Sequence, residues 1–259
     1  MAEKTALITG ASSGIGLAIA RHFATLGYQL VIGGREPAEE VQEILTELKI
    51  AGAPAVQYNP ADMRDGAAVR KMVADAAEMM GGLDLLVNNA GIQHVSPIDS
   101  FPTEAWNAVL DINLSACFHS IAAALPVMRA AEGGRIVNIA SVHGLVASVN
   151  KAAYVAAKHG LIGLTKSVAL ELADTPITCN AICPGWVRTP LVSAQIEARA
   201  KASGRSIENE AEALVSEKQP TGRFILPEQV AQMAAYLASP AASGITGSHF
   251  VVDGGWTAQ

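Results

Sequence analysis

The sequence predicts an α/β protein built on one doubly wound parallel sheet of about seven strands, with helices on both faces. Short runs rich in Val, Ile and Leu alternate with longer helix-like segments along most of the 259 residues. The short runs are nearly continuous in apolar residues, which is typical of strands buried on both faces. Alternation of this kind implies right-handed crossovers and hence parallel strands.

Seven segments have the composition of strands and five that of the helices between them. The strand candidates are TALITG (5–10), YQLVIG (28–33), PAVQY (54–58), LDLLVNNAG (83–91), GRIVNIAS (134–141), TCNAICPG (178–185) and SHFVVDGG (248–255). The helix candidates span 15–27, 38–52, 67–82, 103–133 and 151–173. We find no internal repeat or low-complexity tract, so residues 1–259 are predicted to form a single domain.

Residues 189–220 depart from the alternation of strands and helices, because the segment is charged, helical in character and followed by no strand. It is long for a plain connection, and such segments are often mobile lids over a site. We therefore predict a helical substrate lid here. A surface excursion without a role in binding is the alternative.

Composition excludes several classes of function. No apolar run reaches the roughly 18 residues that a membrane span needs, and MAEKTALITG enters a strand without room for a signal peptide. The net charge of −6, without a basic tract, argues against nucleic acid as a partner. Cys117, Cys179 and Cys183 are odd in number and lie in apolar segments, so we expect reduced core thiols, no metal site and a cytoplasmic protein.

The first strand leads directly into TGASSGIG (9–16), which has the spacing G-x-x-x-G-x-G. Between a strand and a helix, glycines permit a tight turn and close backbone approach, and the helix N-terminus offers free N–H groups to a pyrophosphate. We therefore predict a dinucleotide-binding loop. Its candidate contacts are Gly10, Ser12, Ser13, Gly14, Ile15 and Gly16.

Two other strand ends are predicted to line the same site. Asn89, Ala90 and Gly91 follow the fourth strand, where small residues let a flat ring or a ribose lie against the backbone. Asp62, with its neighbour Met63, follows the third strand, and its carboxylate can accept a hydrogen bond from an adenine amino group. An ordinary turn and a helix cap are the alternatives for these two segments.

The stretch NKAAYVAAKHG (150–160) places Lys151, Tyr154 and Lys158 at helical spacings of three and four. A solvated stripe on a surface helix is one interpretation. The other is that Lys158 lowers the pKa of the Tyr154 phenol, so that it can exchange a proton near neutral pH. A nearby cation can lower a phenol pKa from about 10 by about 1–3 units.

TGASSGIG, NNAG, Ser141, YVAAK and CPGWVRTP, in this order, resemble the short-chain dehydrogenase/reductase family over essentially the whole chain. The resemblance implies a Rossmann-type domain, a nicotinamide cofactor and a homotetramer. Within the family, NNAGIQH, AICPGWVRTPLV, SEKQP and VDGGWTAQ are similar to bacterial members that oxidise (R)-3-hydroxybutyrate to acetoacetate with NAD.

The resemblance also implies roles for individual residues. Tyr154 is the expected general base in oxidation and acid in reduction, Lys158 supports it, Ser141 holds the substrate oxygen, and Asn113 helps to hold a water near the lysine. Further cofactor contacts are expected from CPGWVRTP, namely Pro184, Gly185, Val187 and Thr189. Tyr154 and Lys158 are expected to contact the cofactor as well.

The same resemblance implies a set of substrate contacts. The carboxylate of hydroxybutyrate would lie among Gln93, His143, Lys151 and Gln195, and Trp186 and Trp256 would enclose its methyl end. Each residue has a structural alternative, such as ordinary packing or a solvated helix start. A rival activity is the reduction of 3-oxoacyl thioesters with NADP, and a rival class is a non-catalytic dinucleotide-binding regulator.

Cofactor choice departs from the usual pattern of NAD-dependent relatives. They often carry an acidic residue at the end of the second strand, whereas YQLVIGGRE has Gly34 and Arg35 there, followed by Glu36. An arginine here can pair with a 2′-phosphate. The resemblance favours NAD, and Arg35 leaves NADP open.

Overall fold

The computed structural model describes residues 4–259 and contains one sheet of seven strands, in which all neighbouring strands are parallel. The strands are β1 (Thr5–Ile8), β2 (Gln29–Gly33), β3 (Val56–Asn59), β4 (Leu85–Asn88), β5 (Gly134–Ile139), β6 (Ile177–Pro184) and β7 (His249–Val252). Their order is β3-β2-β1-β4-β5-β6-β7. The predicted α/β fold, its parallel sheet and its strand number are thus confirmed. The order reverses between β1 and β4, where open α/β sheets bind ligands.

Helices cover both faces of this sheet. They are α1 (Gly14–Thr25), α2 (Gln42–Ile50), α3 (Gly66–Met80), α4 (Thr103–Leu110), α5 (Ala116–Ala130), α6 (Ala152–Glu171), α7 (Pro190–Ser203), α8 (Ile207–Ser216) and α9 (Pro227–Ala238). One apolar cluster contains side chains of α1, α2 and α9, and another those of α3, α5 and α6. The first cluster contains Ile8 and the second its neighbour Leu7, as expected when successive residues of a strand point to opposite faces.

Helix α9 is not among the helices that the sequence predicts. Its signals are present: Pro227 stands at the first helical position, and Val230, Ala231, Ala234 and Leu237 recur at helical spacing and are buried. The helix packs closely against α1. Its alanine-rich face produces a weaker hydrophobic pattern than leucine would, although alanine allows two helices to approach closely.

The long helix predicted over 103–133 is interrupted between α4 and α5 by a π-helical turn, Asp111–Ser115. Such turns are rare and are frequent at functional sites. The combined stretch Thr103–Ala130 is the one helix in residues 4–259 that is long and apolar enough to cross a membrane, by length and composition alone. It packs against α3 and α6 within the fold, and buried core helices pass the same test.

Residues 189–220 form two helices, as their composition indicated. Gly204 ends α7 in a left-handed conformation, and α8 then packs back against α7. The carboxylate of Glu210 is 3% exposed and receives hydrogen bonds from Arg199 at 3.1 Å and Ser203 at 2.8 Å. These bonds tie the helix pair together. Whether the pair moves as a lid stays a prediction.

Candidate active site

The carboxyl ends of the central strands open into one cavity of about 1030 Å³. It is lined by all of the predicted site residues except Gly16 and Asn113. These lining residues are Gly10, Ser12, Ser13, Gly14, Ile15, Arg35, Asp62, Met63, Asn89, Ala90, Gly91, Gln93, Ser141, His143, Lys151, Tyr154, Lys158, Pro184, Gly185, Trp186, Val187, Thr189, Gln195 and Trp256. The fold thus gathers, from distant parts of the chain, the residues that the motifs singled out.

The glycine-rich loop lies directly against the end of β4. Gly10 has φ +62°, and a Cβ on it would lie 2.8 Å from the Cα of Ala90. A Cβ on Gly16 would overlap with the carbonyl oxygen of Gly10. The Asn89 amide donates to the carbonyls of Thr9 and Gly10 at 2.9 Å each, so this predicted cofactor contact holds the loop in place.

A dinucleotide fits this loop on the observed geometry. Ser13 occupies the N-cap of α1 without making a side-chain capping bond. The loop and the first turn of α1 line the cavity, and no Cβ projects from the glycines into it. Backbone N–H groups at a helix start form a ready anion site. The residues present are therefore suited to a pyrophosphate.

At the end of β2, Arg35 is exposed and Glu36 turns back towards the loop. The Glu36 carboxylate accepts a hydrogen bond from the backbone N–H of Arg35 at 3.0 Å and is also hydrogen-bonded to Ser12. Burial opposes its ionisation, but these hydrogen bonds and the positive charge of Arg35 leave the pKa of Glu36 below its usual value. Glu36 is not among the site residues that the sequence predicts. It lines the cavity.

Asp62, the predicted adenine contact, also lines the cavity, but its carboxylate is paired. Arg64 donates to it from both the backbone and the guanidinium, the shortest contact being 2.6 Å. The hydrogen bonds from Arg64 lower the pKa of the Asp62 carboxyl. Ionised Asp62 keeps acceptor capacity for a ligand amino group.

Tyr154 lies near the start of α6 and is half-buried, with its hydroxyl hydrogen-bonded to the Ser141 hydroxyl. Burial raises the pKa of Tyr154, and the bond to Ser141 lowers it by less. This direction is opposite to the predicted lowering by Lys158. The reason is geometric: the phenol is removed from water, while the ammonium lies 5.6 Å from the ring centroid and donates elsewhere.

Lys158 is 3% exposed and donates to the carbonyl oxygen of Ile139 at 2.8 Å. Burial lowers the pKa of its ammonium. Asn113 lies in the π-helical turn and is fully buried, and its side chain exchanges two hydrogen bonds of 2.8 Å with the backbone of Ile92. The Asn113 amide is thus used to hold the segment that follows β4. Its role in holding a water stays a prediction.

Lys151 is 9% exposed and lies immediately before α6. Its Nζ lies 4.7 Å from the ring centroid of Trp186. Burial lowers the pKa of Lys151 to about 8, and within residues 4–259 no carboxylate lies within 4 Å of its ammonium. A buried cation without an anionic partner is costly and marks a functional site.

The two tryptophans predicted around the substrate lie side by side, with ring centroids 5.7 Å apart. They belong to an apolar cluster that includes Val192 and Ile196 of α7, so the helix pair closes this end of the cavity. Two lining atoms, Gln93 Oε1 and Trp186 Nε1, are buried without a hydrogen-bond partner among the described residues. Unsatisfied buried polar atoms of this kind call for a ligand or a water.

His143 is 4% exposed, and both of its ring nitrogens face serine hydroxyls. Nδ1 lies 3.4 Å from Ser141 Oγ, and Nε2 lies 3.0 Å from Ser148 Oγ. Burial, followed by the nearby positive charge of Lys151, lowers the pKa of His143 to about 4, so the ring is neutral at pH 7. His143 lines the cavity, and its contact with a substrate stays a prediction. Nothing in the sequence motifs pointed to Ser148.

Comparison with known proteins identifies relatives across the whole chain. Residues 10–257 match a family model described as enoyl-(acyl carrier protein) reductase. The chain is 49% identical to D-beta-hydroxybutyrate dehydrogenases from Cupriavidus necator (99% of this chain, 98% of the relative) and Rhizobium meliloti (99% of each). It also superposes on a variant actinorhodin polyketide ketoreductase crystallised with NADPH, with a TM-score of 0.92, 38% identity and coverage of 98% and 97% of the two chains.

These matches cover nearly all of the motifs discussed above. The family binds a nicotinamide dinucleotide and its members are oxidoreductases, in agreement with the glycine-rich loop and the cavity beside it. By its fold, its site and its relatives, the chain belongs to the short-chain dehydrogenase/reductase family.

Proposed function

We propose that this protein interconverts (R)-3-hydroxybutyrate and acetoacetate with NAD as cofactor. The observation that carries the substrate assignment is Lys151, a buried ammonium that lacks a carboxylate partner and lines the same cavity as Ser141 and Tyr154. A small anionic hydroxy acid supplies the missing charge. Relatives named D-beta-hydroxybutyrate dehydrogenase, at 49% identity, support the choice.

The reacting hydroxyl of the substrate binds between Ser141 and Tyr154 in this proposal. Bound NAD supplies the hydride acceptor and, in its oxidised form, a positive charge. Tyr154 Oη removes the hydroxyl proton during oxidation and returns a proton during reduction, while Ser141 fixes the oxygen by a hydrogen bond. Lys158, held by the carbonyl of Ile139, keeps a positive charge 5.6 Å from the centre of the phenol ring. Together with the charge of oxidised NAD, it would offset part of the rise that burial causes in the Tyr154 pKa.

The substrate carboxylate binds at the other end of the pocket. Lys151 supplies the charge, and the amides of Gln93 and of Gln195, on α7, supply hydrogen bonds. His143 would donate to the carboxylate only by releasing one of its two serine hydroxyls. The methyl group packs against Trp186 and Trp256. Closure of the α7–α8 pair over the substrate would bring Gln195 into place.

Glu36 supports NAD over NADP. Its carboxylate is fixed at the end of β2 by Ser12 and the backbone of Arg35. A fixed negative charge here suits ribose hydroxyls as a hydrogen-bond acceptor and repels a 2′-phosphate. Arg35 is the residue that would favour NADP.

The cofactor proposal is tested by measuring the dissociation constants of NADH and NADPH by fluorescence titration, together with kcat/KM for NAD and NADP. We expect the wild type to prefer NAD. Glu36→Gln should reduce the ratio of kcat/KM for NAD to that for NADP by about 10-fold, because it removes the repulsion between the carboxylate and a 2′-phosphate. Arg35→Gln should leave the preference for NAD intact. A wild type that prefers NADP would contradict the assignment.

The reduction of longer 3-oxoacyl thioesters with NADP is the second candidate, favoured by the likeness to a polyketide ketoreductase crystallised with NADPH. A 3-oxoacyl thioester has an uncharged thioester group where 3-hydroxybutyrate has its carboxylate, so it leaves Lys151 without an anionic partner. Activity with both enantiomers of 3-hydroxybutyrate and with an acetoacetyl thioester separates the two candidates. A clear preference for the thioester would overturn our assignment.

Tyr154→Phe tests the chemical step. The variant keeps the ring but removes the proton-carrying oxygen, so we expect NADH affinity within about 2-fold of the wild type and a loss of at least about 100-fold in kcat. Tyr236→Phe is the matched control, because Tyr236 is an exposed tyrosine on α9. Substantial turnover by Tyr154→Phe would remove the proposed acid and base.

We also propose a homotetramer in a reducing cytoplasm. Exposed apolar side chains on three separate elements support assembly, namely Phe118 on α5, Leu170 on α6 and Val251 on β7. The three cysteines are buried and free, which suits a reducing compartment. Light scattering should give a mass of about four times the 26.8 kDa chain, and a monomer mass would contradict this.

A further inference from the structure

Gln219 lies just after α8, and its side chain is fully buried although it carries a polar amide. Its Oε1 accepts a hydrogen bond from the backbone N–H of Trp186, and its Nε2 donates to the carbonyl oxygen of Arg223 at 2.6 Å. A buried backbone N–H needs such a partner. The side-chain amide thus takes the place of a peptide group between two segments of the backbone.

Two glycines leave room for this amide. A Cβ on Gly185 would overlap with Gln219 Oε1, and a Cβ on Gly254 would lie 3.4 Å from Gln219 Nε2. The glycines follow β6 and β7, so two separate strand ends accommodate the same side chain. One accepted and one donated bond require an amide here, because an ionised carboxylate has no donor.

The turn after α8 also contacts the segment that carries Trp256. The backbone N–H of Thr221 donates to the carbonyl oxygen of Gly254 at 3.2 Å, and Trp256 follows shortly after. The ring of Trp256 lies beside that of Trp186, with centroids 5.7 Å apart. The turn thus holds both tryptophans, one through the Gln219 amide and the other through its own backbone.

We propose that Gln219 is a positioning residue that fixes Trp186 against Trp256 in the wall of the substrate pocket. The inference rests on the proposed function, in which the methyl end of 3-hydroxybutyrate packs against these two rings. Gln219 lies outside the cavity lining, so it acts on the substrate through Trp186. It thereby helps to determine the chain length that the pocket accepts.

Trp186 connects the two ends of the substrate pocket. The centroid of its ring lies 4.7 Å from Lys151 Nζ, and the same ring packs with Trp256 in an apolar cluster. A shift of Trp186 would therefore weaken the apolar contact with the substrate and move the ring that faces the ammonium. Both effects are on substrate binding, so they should raise KM rather than lower kcat.

Other hydrogen bonds hold the end of β6 when Gln219 is replaced. The N–H of Gly185 donates to the Val252 carbonyl at 3.0 Å, and the N–H of Ile225 donates to the Trp186 carbonyl at 2.9 Å. The loss of the Gln219 amide should thus loosen Trp186 and leave the proposed cofactor contact at Gly185 in place. We therefore expect an effect on the substrate rather than on the cofactor.

Gln219→Met nearly keeps the length of the side chain and removes both hydrogen bonds. Its kinetics are measured with 3-hydroxybutyrate and with 3-hydroxypentanoate, which is one methylene longer at the methyl end. We expect the wild type to prefer the shorter acid by at least about 10-fold in kcat/KM. Gln219→Met should raise KM for 3-hydroxybutyrate about 10-fold, keep kcat within about 3-fold and reduce the preference to within about 3-fold.

Gln42→Met is the control, because the Gln42 amide also donates to a backbone carbonyl, that of Ala38 at 2.8 Å, but is exposed on α2. It should keep the KM and the preference of the wild type. An unchanged preference in Gln219→Met would overturn the proposal, since a general loss of stability has no reason to favour the longer acid. Gln219→Asn is too short to reach both partners and should give the same result if Gln219→Met does not fold.

A second measurement does not depend on activity. Neighbouring indole rings couple their electronic transitions and give paired circular dichroism bands of opposite sign, and Trp256→Phe identifies the bands of this pair. Gln219→Met should weaken these bands, and Gln42→Met should retain them. Unchanged bands in Gln219→Met would refute the role of Gln219, whatever the substrate. Inactivity of the wild type towards 3-hydroxybutyrate would instead refute the proposed function.

Discussion

Lys151 makes substrate affinity depend on pH in a direction that the structure specifies. Burial lowers the pKa of its ammonium to about 8 in the folded protein. Only the protonated form carries the charge that attracts a carboxylate. Affinity for an anionic ligand should therefore be highest well below pH 8 and should decline as the pH rises through that value.

The magnitude follows from this titration alone. With a pKa of about 8, roughly nine tenths of the lysine is charged at pH 7 and roughly one tenth at pH 9. The dissociation constant of a carboxylate ligand should thus rise about 10-fold between pH 7 and pH 9. An exposed lysine, with an ordinary pKa near 10.4, would change affinity by only a few per cent over this interval.

Butyrate is a suitable probe, because it has the carboxylate and the carbon chain of the substrate without the reacting hydroxyl. Its inhibition constant against 3-hydroxybutyrate, at saturating NAD, reports anion binding apart from proton transfer at Tyr154. Lys151→Met removes the charge but keeps much of the side-chain volume. We expect it to bind butyrate about 10- to 100-fold more weakly at pH 7, which is the range for a lost charged hydrogen bond.

Lys151→Met should also be insensitive to pH between 7 and 9, whereas the control Lys201→Met, on an exposed turn of α7, should behave as the wild type does. An inhibition constant of the wild type that stays flat through pH 8 would show that Lys151 does not hold the anion. Equal pH dependence in the wild type and Lys151→Met would point to a different titrating group. Either result would contradict the assignment of the anion site to Lys151.

Two further substitutions test the cofactor loop and the core. Gly16→Ala should weaken NADH binding at least about 10-fold by calorimetry, because the new methyl group overlaps the loop backbone. Gly163→Ala is the control, because its methyl group meets open space in α6 and should leave NADH binding unchanged. Asn138→Ala should lower the free energy of unfolding by about 2–4 kcal/mol in urea titration, because it removes two buried hydrogen bonds of 2.9 Å and leaves the Asn88 amide N–H without its acceptor. The exposed Asn107→Ala should change it by less than about 0.5 kcal/mol.

The fold could be predicted because its strands are apolar in unbroken runs. All four residues of β1 and all eight of β6 are buried, so composition alone separates them from helices and loops. The helix α9 could not be predicted in the same way, because alanines make up much of its buried face. The π-helical turn could not be predicted either, because Asp111–Ser115 has ordinary helical composition. The turn is stabilised by contacts with Ile92, which is distant in the sequence.

Most of the candidate site was predictable for a different reason. Backbone constraints at Gly10 and the spacing of Tyr154 and Lys158 are local, and local patterns are readable in a sequence. Contacts between distant segments are not. The bond between His143 and Ser148 depends on how the chain turns between β5 and α6, and the pKa of Tyr154 depends on burial, for which spacing gives no measure.

Lys151 links stability to function. In the unfolded chain its pKa returns to the ordinary value of about 10.5, so the unfolded state binds more protons between pH 8 and 10 and stability rises with pH across that window. At neutral pH the buried charge lowers stability. A bound carboxylate removes that penalty by pairing with the charge. Lys151→Met should therefore have a higher melting temperature than the ligand-free wild type. Butyrate should raise the melting temperature of the wild type but not that of Lys151→Met. Equal melting temperatures of the two ligand-free proteins would show that the buried ammonium does not lower stability.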